Sequence, residues 1–274
     1  MKRISLCADD YAITPEVSRA ILALAEKGRL QATSCMVTSD HWSNDADRLE
    51  EQFDAIDIGL HLNFTEGAGL TSAYKAGFPG LYKMLVMSHL RLLKQSDLRD
   101  EIHGQLDRFI QATGRQPDFI DGHQHVHHLP QVRAALLEVI QDKLKPSTWV
   151  RSVTPLISSN DLKSKVIEHS GAYPLRKQLV KHRHPTNRAF AGVYSLSPED
   201  NYRLLMQKWL NKLPDSSLIM CHPGAFNDSQ NHLPDHAEAR QLEYDYLLSQ
   251  AFQADCQAAR IQLGRPSEWL IADS

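Results

Sequence analysis

The sequence predicts an α/β protein in which about seven parallel strands close into a barrel. Two observations carry this. Short apolar, strand-like runs alternate with segments of helical period along the chain, and such alternation implies parallel strands joined by helices. Aspartates or histidines then stand at the C-terminal ends of four different runs: Asp9 and Asp10, His61, His123 and His222. In parallel α/β folds reactive groups gather at those ends, and barrel closure unites them where an open sheet would spread them apart.

At 274 residues and 42% hydrophobic, with no Pro/Ser/Gly-rich linker, charge block or internal repeat, the chain reads as one domain over residues 1–274. A formal net charge of -3 argues against a primary role in nucleic-acid binding. Nothing suggests a membrane partner. The N-terminus offers too short an apolar stretch for a signal peptide and runs directly into Asp9 and Asp10, so the protein reads as cytoplasmic. The four cysteines form no C-x-x-C pair and lie in apolar segments, as small buried thiols of a reducing compartment do. Oligomeric state is open, because buried and interfacial apolar faces look alike in sequence.

Residues 3–8 form the first strand, with Asp9 and Asp10 where it ends. Thr14 caps the next helix, Pro15 suits its first position, Val17, Ile21 and Leu24 make its apolar stripe, and Gly28 closes it. Two adjacent carboxylates are either solvated at a surface turn or held by a cation. Residues 33–37 are the second strand, and a polar helix-like segment follows to about Phe53. Residues 56–62 alternate as the third strand. His61 near its end has weight by position, since a lone histidine in such a run is usually a satisfied structural residue. Residues 63–80 are longer than a minimal connection and read either as a substrate-binding loop or as a mobile insertion. Ser96 is the expected cap of a helix in which Leu98, Ile102, Leu106 and Phe109 face the core and Gly114 provides the stop.

The fourth strand leads into Asp121-Gly122-His123-Gln124-His125-Val126-His127. If that segment is extended, His123, His125 and His127 point the same way. Crowded histidines also serve as hydrogen-bond partners of a ligand, as substrate contacts or as surface residues. A helix over residues 130–143 follows, then a fifth strand over residues 149–153 holding Arg151, which is either solvent-facing or buried against an anion. From residue 158 to 193 the pattern weakens, and Lys177, Lys181, His182, Arg183, His184 and Arg188 make part of it basic: a lid, a subunit contact or a solvated excursion. Ser197 with Asp200 carries a helix-start signature. Residues 218–221 are the sixth strand, ending at His222, and residues 261–264 are the last.

Together these residues suit metal-assisted hydrolysis of an amide or ester. One carboxylate and two histidines leave open positions on a divalent ion, and a second carboxylate can accept a proton from water. One of Asp9 and Asp10 binds and the other acts as base, while His222 stands opposite to protonate a departing amine.

Four stretches, Ala8-Asp9-Asp10-Tyr11, Gly59 to Gly67, Asp121 to His127 and Cys221-His222-Pro223-Gly224, resemble in order and spacing the YdjC-like carbohydrate deacetylases, the family of chitooligosaccharide deacetylase. The resemblance implies a distorted (β/α) barrel related to polysaccharide deacetylases, acting on an N-acetylated sugar. Its expected reaction removes the acetyl group from an amino sugar or short chitooligosaccharide. It makes Asp10, His61 and His123 the ligands of one divalent metal ion, Asp9 the base, His222 the acid or oxyanion-side partner, and Arg151 the residue that orients Asp9. His125 and His127 become supporting residues, and Thr65 and Glu66 neighbours of substrate or metal ligands. Two histidines favour zinc or another transition metal, whereas the resemblance leaves magnesium open. The chain departs from the family at Tyr11-Ala12, where Phe-Gly is usual, and at Gly122, where Ser is common. Ala12 disfavours a left-handed backbone at that turn. Three rivals are a non-haem iron oxygenase built on the same triad, a catalytically silent sugar-binding or regulatory protein, and a hydrolase of another ester or phosphoester.

Overall fold

The computed structural model describes residues 1–155, 168–226 and 236–270. Its strands are β1 (Lys2–Tyr11), β2 (Ala32–Cys35), β3 (Asp57–Leu62), β4 (Phe119–Gly122), β5 (Trp149–Val150), β6 (Ala189–Ala191), β7 (Ser217–Cys221) and β8 (Ile261–Leu263). All pair in parallel, in the order β5-β4-β3-β2-β1-β7-β6, with β8 off that path against the first residues of β1. A parallel bridge from Pro155 to Phe190 links the chain beyond β5 to β6, so the two edges of this seven-strand path approach each other as a distorted barrel.

Local signals account for most elements. Thr14 Oγ1 accepts the Val17 amide at the start of the Pro15–Glu26 helix, and Gly28 ends it at φ +66. Gly114, at φ +68, closes the Gln95–Thr113 helix. Ser96 is not its cap: the helix starts one residue earlier, behind Lys94, and the Ser96 hydroxyl donates to Asp97. Ser197 is also displaced as a cap, since the Tyr202–Lys212 helix begins five residues on, where Asn201 Oδ1 accepts the Leu204 amide. Ser197 and Asp200 instead bond each other within the preceding turn.

The weakly patterned stretch contains β6, three buried residues too short to show a period. Its basic part forms the Tyr173–Lys181 helix, which buries Leu175 and Leu179 and exposes Lys177 and Lys181. Residues 158–167 of that stretch with the two before them, and residues 227–235 of the polar loop before His236, lie outside the described residues. Among the described residues no helix is long and apolar enough to cross a membrane.

Two contacts fix the parts of the barrel that carry the site. Gly59 on β3 faces Phe119 on β4, and a Cβ there would come within 2.4 Å of the Phe119 ring, which stacks on Trp149 at 4.1 Å. The long loop after β3 is tied down rather than free. Buried Glu101 accepts the Leu70 and Thr71 amides at 3.0 and 2.9 Å, and Gln105 pairs with both backbone groups of Asn63 at 3.0 and 2.7 Å.

Candidate metal centre and active site

The chain turns sharply where β1 ends. Asp10 and Ala12 both adopt left-handed backbone, φ 69 and 70, although neither is glycine. Such positions cost on the order of 1 kcal/mol or more each and collect at functional sites. Ala12 thus accepts the conformation it was expected to resist, held by the hydrogen bond its N–H donates to Ser18 Oγ at 3.0 Å and by the one the Ile13 N–H donates to the Asp10 carbonyl at 3.0 Å. The two adjacent carboxylates reach different partners.

Asp10 meets the histidines. Its Oδ1 lies 2.9 Å from His123 Nδ1 and 3.5 Å from His61 Nε2, and all three residues are buried. Each imidazole gives its other nitrogen to a carboxylate: His61 Nδ1 to Asp121 Oδ1 at 2.6 Å, and His123 Nε2 to Glu66 Oε2 at 2.9 Å. With a proton fixed on those outer nitrogens, a cation that displaces the protons shared with Asp10 would find both inner nitrogens directed at it, the arrangement that ligating histidines adopt. The electrostatics agree. Burial alone would lower the His61 pKa, but Asp121, aided by Asp10 and Asp9, pushes it up to about 10, so the site favours positive charge. Burial likewise opposes ionisation of Asp10, and Arg240 with His123 overrides it and holds the carboxyl well below its usual range. One carboxylate and two neutral imidazoles fit a divalent ion with positions open toward the cavity.

Asp9 meets Arg151. The guanidinium grips it at two points, 2.7 and 2.6 Å, ion-pairs with Asp121 Oδ2 at 2.6 Å and lies 2.9 Å from Cys7 Sγ. Arg151 is wholly buried, so the solvent-facing reading does not hold. Burial alone would raise Asp9, and Arg151 overrides it and holds that carboxyl far below the ordinary range. Cys7, Asp9 and Asp121 are also close enough to ligate a cation, but the Arg151 guanidinium already sits among them and supplies that charge.

The histidine run is not extended. Gln124 and His125 adopt φ 51 and 62, a left-handed kink that breaks residues 123–128 into short turns, so the rings diverge. His123 turns to Asp10, His127 Nε2 bonds the Arg151 carbonyl at 3.0 Å, and His128 Nε2 bonds Ser170 Oγ at 2.7 Å. His125 lies edge-on to Phe190 at 5.5 Å and lines the cavity. Burial keeps His125 and His127 uncharged, pushing His127 down to about 4. Gly122 has its reason here: a Cβ would stand 2.9 Å from the His127 backbone nitrogen, so a serine in its place requires this turn to shift.

These groups share a cavity of about 820 Å³ whose lining includes Asp9, Asp10, His61, His123, Glu66 and His222. Burial pushes the His222 imidazole down to about 4, so it is neutral at neutral pH. Thr65 does not take a comparable position; its amide donates to Asn63 Oδ1 at 3.1 Å.

The model of the family described as YdjC-like protein matches residues 3–258. This chain belongs to the YdjC-like family. Curated relatives include the carbohydrate deacetylase of Danio rerio, 28% identical over 148 residues that cover 51% of this chain and 47% of that protein. Another is the carbohydrate deacetylase of Vibrio parahaemolyticus, 26% identical over 246 residues, 88% of this chain and 86% of that one. The match thus spans about half the length of the first relative and most of the second. A crystal structure from Enterococcus faecalis, provisionally described as a cellobiose-phosphate cleavage protein, superposes over 97% of this chain and 98% of that one with a TM-score of 0.73. At 18% identity it speaks to the fold alone.

Three residues of this YdjC-like site were not singled out in the sequence. Asp121 stood inside a recognised motif without a role. Arg240, whose Nη2 lies 2.6 Å from Asp10 Oδ2, and Glu243, whose Oε2 accepts the His222 amide at 2.6 Å, belong to the Ala237–Leu248 helix. Charged residues on a helix normally read as its solvated face, so no signal marked these two as buried partners of the site.

Proposed function

We propose that this protein is a metal-dependent carbohydrate deacetylase that hydrolyses the N-acetyl group of an amino sugar or short chitooligosaccharide. One observation carries the reading. Asp10 joins two histidines while its neighbour Asp9 is excluded from that group and held by Arg151 at the same cavity. A binding site alone has no use for a second, separately oriented carboxylate beside the cation position.

Asp10, His61 and His123 would hold one divalent ion, and their two imidazoles favour zinc or another transition metal over magnesium. When bound, such an ion supplies Lewis-acid polarisation of a carbonyl and lowers the pKa of water. Asp9 is the base. Arg151 engages both of its oxygens, but each carboxylate oxygen keeps a second lone pair, so Asp9 can still take a proton from the attacking water. The same contact makes Asp9 a weak base, and its value lies in fixed orientation. As the carbon–nitrogen bond breaks, Asp9 returns that proton to the departing nitrogen, which yields the free amine and acetate. His222, neutral because it is buried, suits the oxyanion side: its N–H donates to the carbonyl oxygen as negative charge develops.

The test is acetate release from N-acetylglucosamine and short chitooligosaccharides by metal-stripped protein reloaded with zinc, magnesium, manganese or cobalt. Metal-dependent release is the expected result. No release from folded, metal-loaded protein rejects deacetylation of these sugars and leaves a binding protein or another acyl substrate. Release of phosphate or of a different acid from a parallel ester panel would identify the rival hydrolase.

A further inference from the structure

The Ala237–Leu248 helix sends two buried charged side chains, one turn apart, to two different parts of the candidate site. Arg240 reaches the outer oxygen of Asp10, Nη2 to Oδ2 at 2.6 Å. Glu243 is wholly buried and accepts two hydrogen bonds. Its Oε2 takes the backbone N–H of His222 at 2.6 Å, and its Oε1 takes the hydroxyl of Tyr194 at 2.6 Å. Tyr194 and His222 both line the cavity. Aromatic neighbours brace the Tyr194 ring, with Tyr202 at 5.6 Å and Trp209 at 6.3 Å. The loop beyond β7 is pinned to the same helix, since the Gly224 amide donates to the Arg240 carbonyl at 3.1 Å and the Phe226 amide to Gln241 Oε1 at 2.8 Å.

Burying a carboxylate costs several kcal/mol unless its partners compensate, and an apolar side chain of similar size commonly serves packing as well or better. A glutamate here therefore calls for a reason beyond filling space, and its two donors supply one. We propose that Glu243 is a positioning residue that joins the His222 backbone and the Tyr194 ring into one rigid wall of the cavity. Because Arg240 ties Asp10 to the same helix, a single turn of helix sets how far His222 stands from the Asp10, His61 and His123 group. The wall itself follows from the contacts, whereas its use in turnover rests on the deacetylase reading.

The experiment uses the full chain loaded with zinc and compares wild type, E243M and E243Q. Met keeps the volume and removes both acceptors; Gln keeps the shape, an acceptor for the His222 amide and a polar group for Tyr194. Four quantities are read: bound zinc, amide hydrogen exchange at His222, and kcat and KM for acetate release. E243M is expected to bind zinc as wild type does, to exchange the His222 amide at least ~10-fold faster, and to lose kcat by about 10–100-fold with a smaller change in KM. E243Q is expected to restore protection and turnover to within roughly 3-fold of wild type, as positioning by hydrogen bonds requires.

The proposal is overturned if E243M matches wild type in exchange and kcat, or if E243Q loses as much as E243M. Should E243M not fold, E243D takes its place: it falls one methylene short of both donors, and wild-type exchange and kcat in E243D overturn the proposal equally. If wild-type protein releases no acetate from any sugar, it is the deacetylase reading that fails, and the exchange measurement alone decides the wall. Faster His222 exchange in E243M then supports it, and equal exchange rejects it.

Discussion

Arg151 and Asp9 face each other as a two-point ion pair, Nη1 to Oδ2 at 2.7 Å and Nη2 to Oδ1 at 2.6 Å, with the arginine wholly buried. The same guanidinium also serves Asp121, so one cation compensates two buried carboxylates. Arg151→Met strands both, and breaking a buried pair in this way costs about 3–5 kcal/mol. Denaturant unfolding of the variant should show that loss. Arg151→Lys keeps the charge without the fork, so it should fold better than the Met variant yet turn over poorly. A lysine variant with wild-type kcat would show that two-point orientation of Asp9 is dispensable.

Asp9→Asn keeps the shape of the side chain and leaves Asp10, His61 and His123 untouched. It is expected to retain bound metal while losing about 10²–10⁴-fold in acetate release, the usual worth of a positioned general base. Metal analysis and turnover on the same sample make the check. Hydrolysis at the parent rate would falsify the assignment of Asp9 as base.

Glu66 reaches His123 from the loop after β3, and its side chain is 54% exposed, so changing it places little strain on folding. Glu66→Gln weakens the hold on the outer nitrogen of His123 and should lower metal affinity by roughly 10-fold, within the range seen for such supporting partners. Calorimetric titration of the apo protein reads this directly. An unchanged affinity would mean that His123 is oriented by its strand and turn alone.

Glu243 gives stability a pH dependence whose sign can be worked out. Burial, partly offset by the hydrogen bonds from Tyr194 and His222, pushes its pKa from 4.5 up to about 7. Between those values the folded protein keeps a proton that the unfolded chain has released. Its stabilising contribution is therefore complete below pH 4.5 and is lost as pH rises through about 7. At ~1.4 kcal/mol per pKa unit the change is roughly 3 kcal/mol. The unfolding free energy of E243Q minus that of wild type should rise by about that amount across the same window. A difference that stays flat with pH contradicts the raised pKa.

Gly59→Ala probes the packing behind the third-strand motif. The new methyl would meet the Phe119 ring at 2.4 Å, and that ring is itself stacked on Trp149. Overpacking of this kind costs about 1–3 kcal/mol, which should appear as a lowered Tm. A Tm equal to wild type would indicate that β4 yields to the methyl without cost.

Much of this molecule is legible in its sequence because the relevant physics is local. The alternation of runs and periods marks the barrel, Thr14 with Pro15 and the two glycines Gly28 and Gly114 mark helix ends, and four strand termini display the candidate site residues. Where signals depend on a partner elsewhere, they fall silent. β6 is three residues long and takes its identity from pairing with β7, and the Ser197 signature serves a turn because the helix starts at Asn201. The histidine turn depends on left-handed Gln124 and His125, a conformation their residue types do not demand.

By itself the sequence determined that Asp9, Asp10, His61, His123 and His222 lie at strand ends on one face of a barrel. Its local pattern left the two aspartates equivalent, since neighbours in the chain share every local property, and only the family resemblance set them apart. Tertiary structure gives them different partners. Left-handed Asp10 turns the pair apart, Arg151 arrives from 142 residues away to hold Asp9, and Arg240 arrives from 230 residues away to hold Asp10 against the histidines. A carboxylate's role follows from the charge beside it, and here each charge is brought by a distant part of the fold.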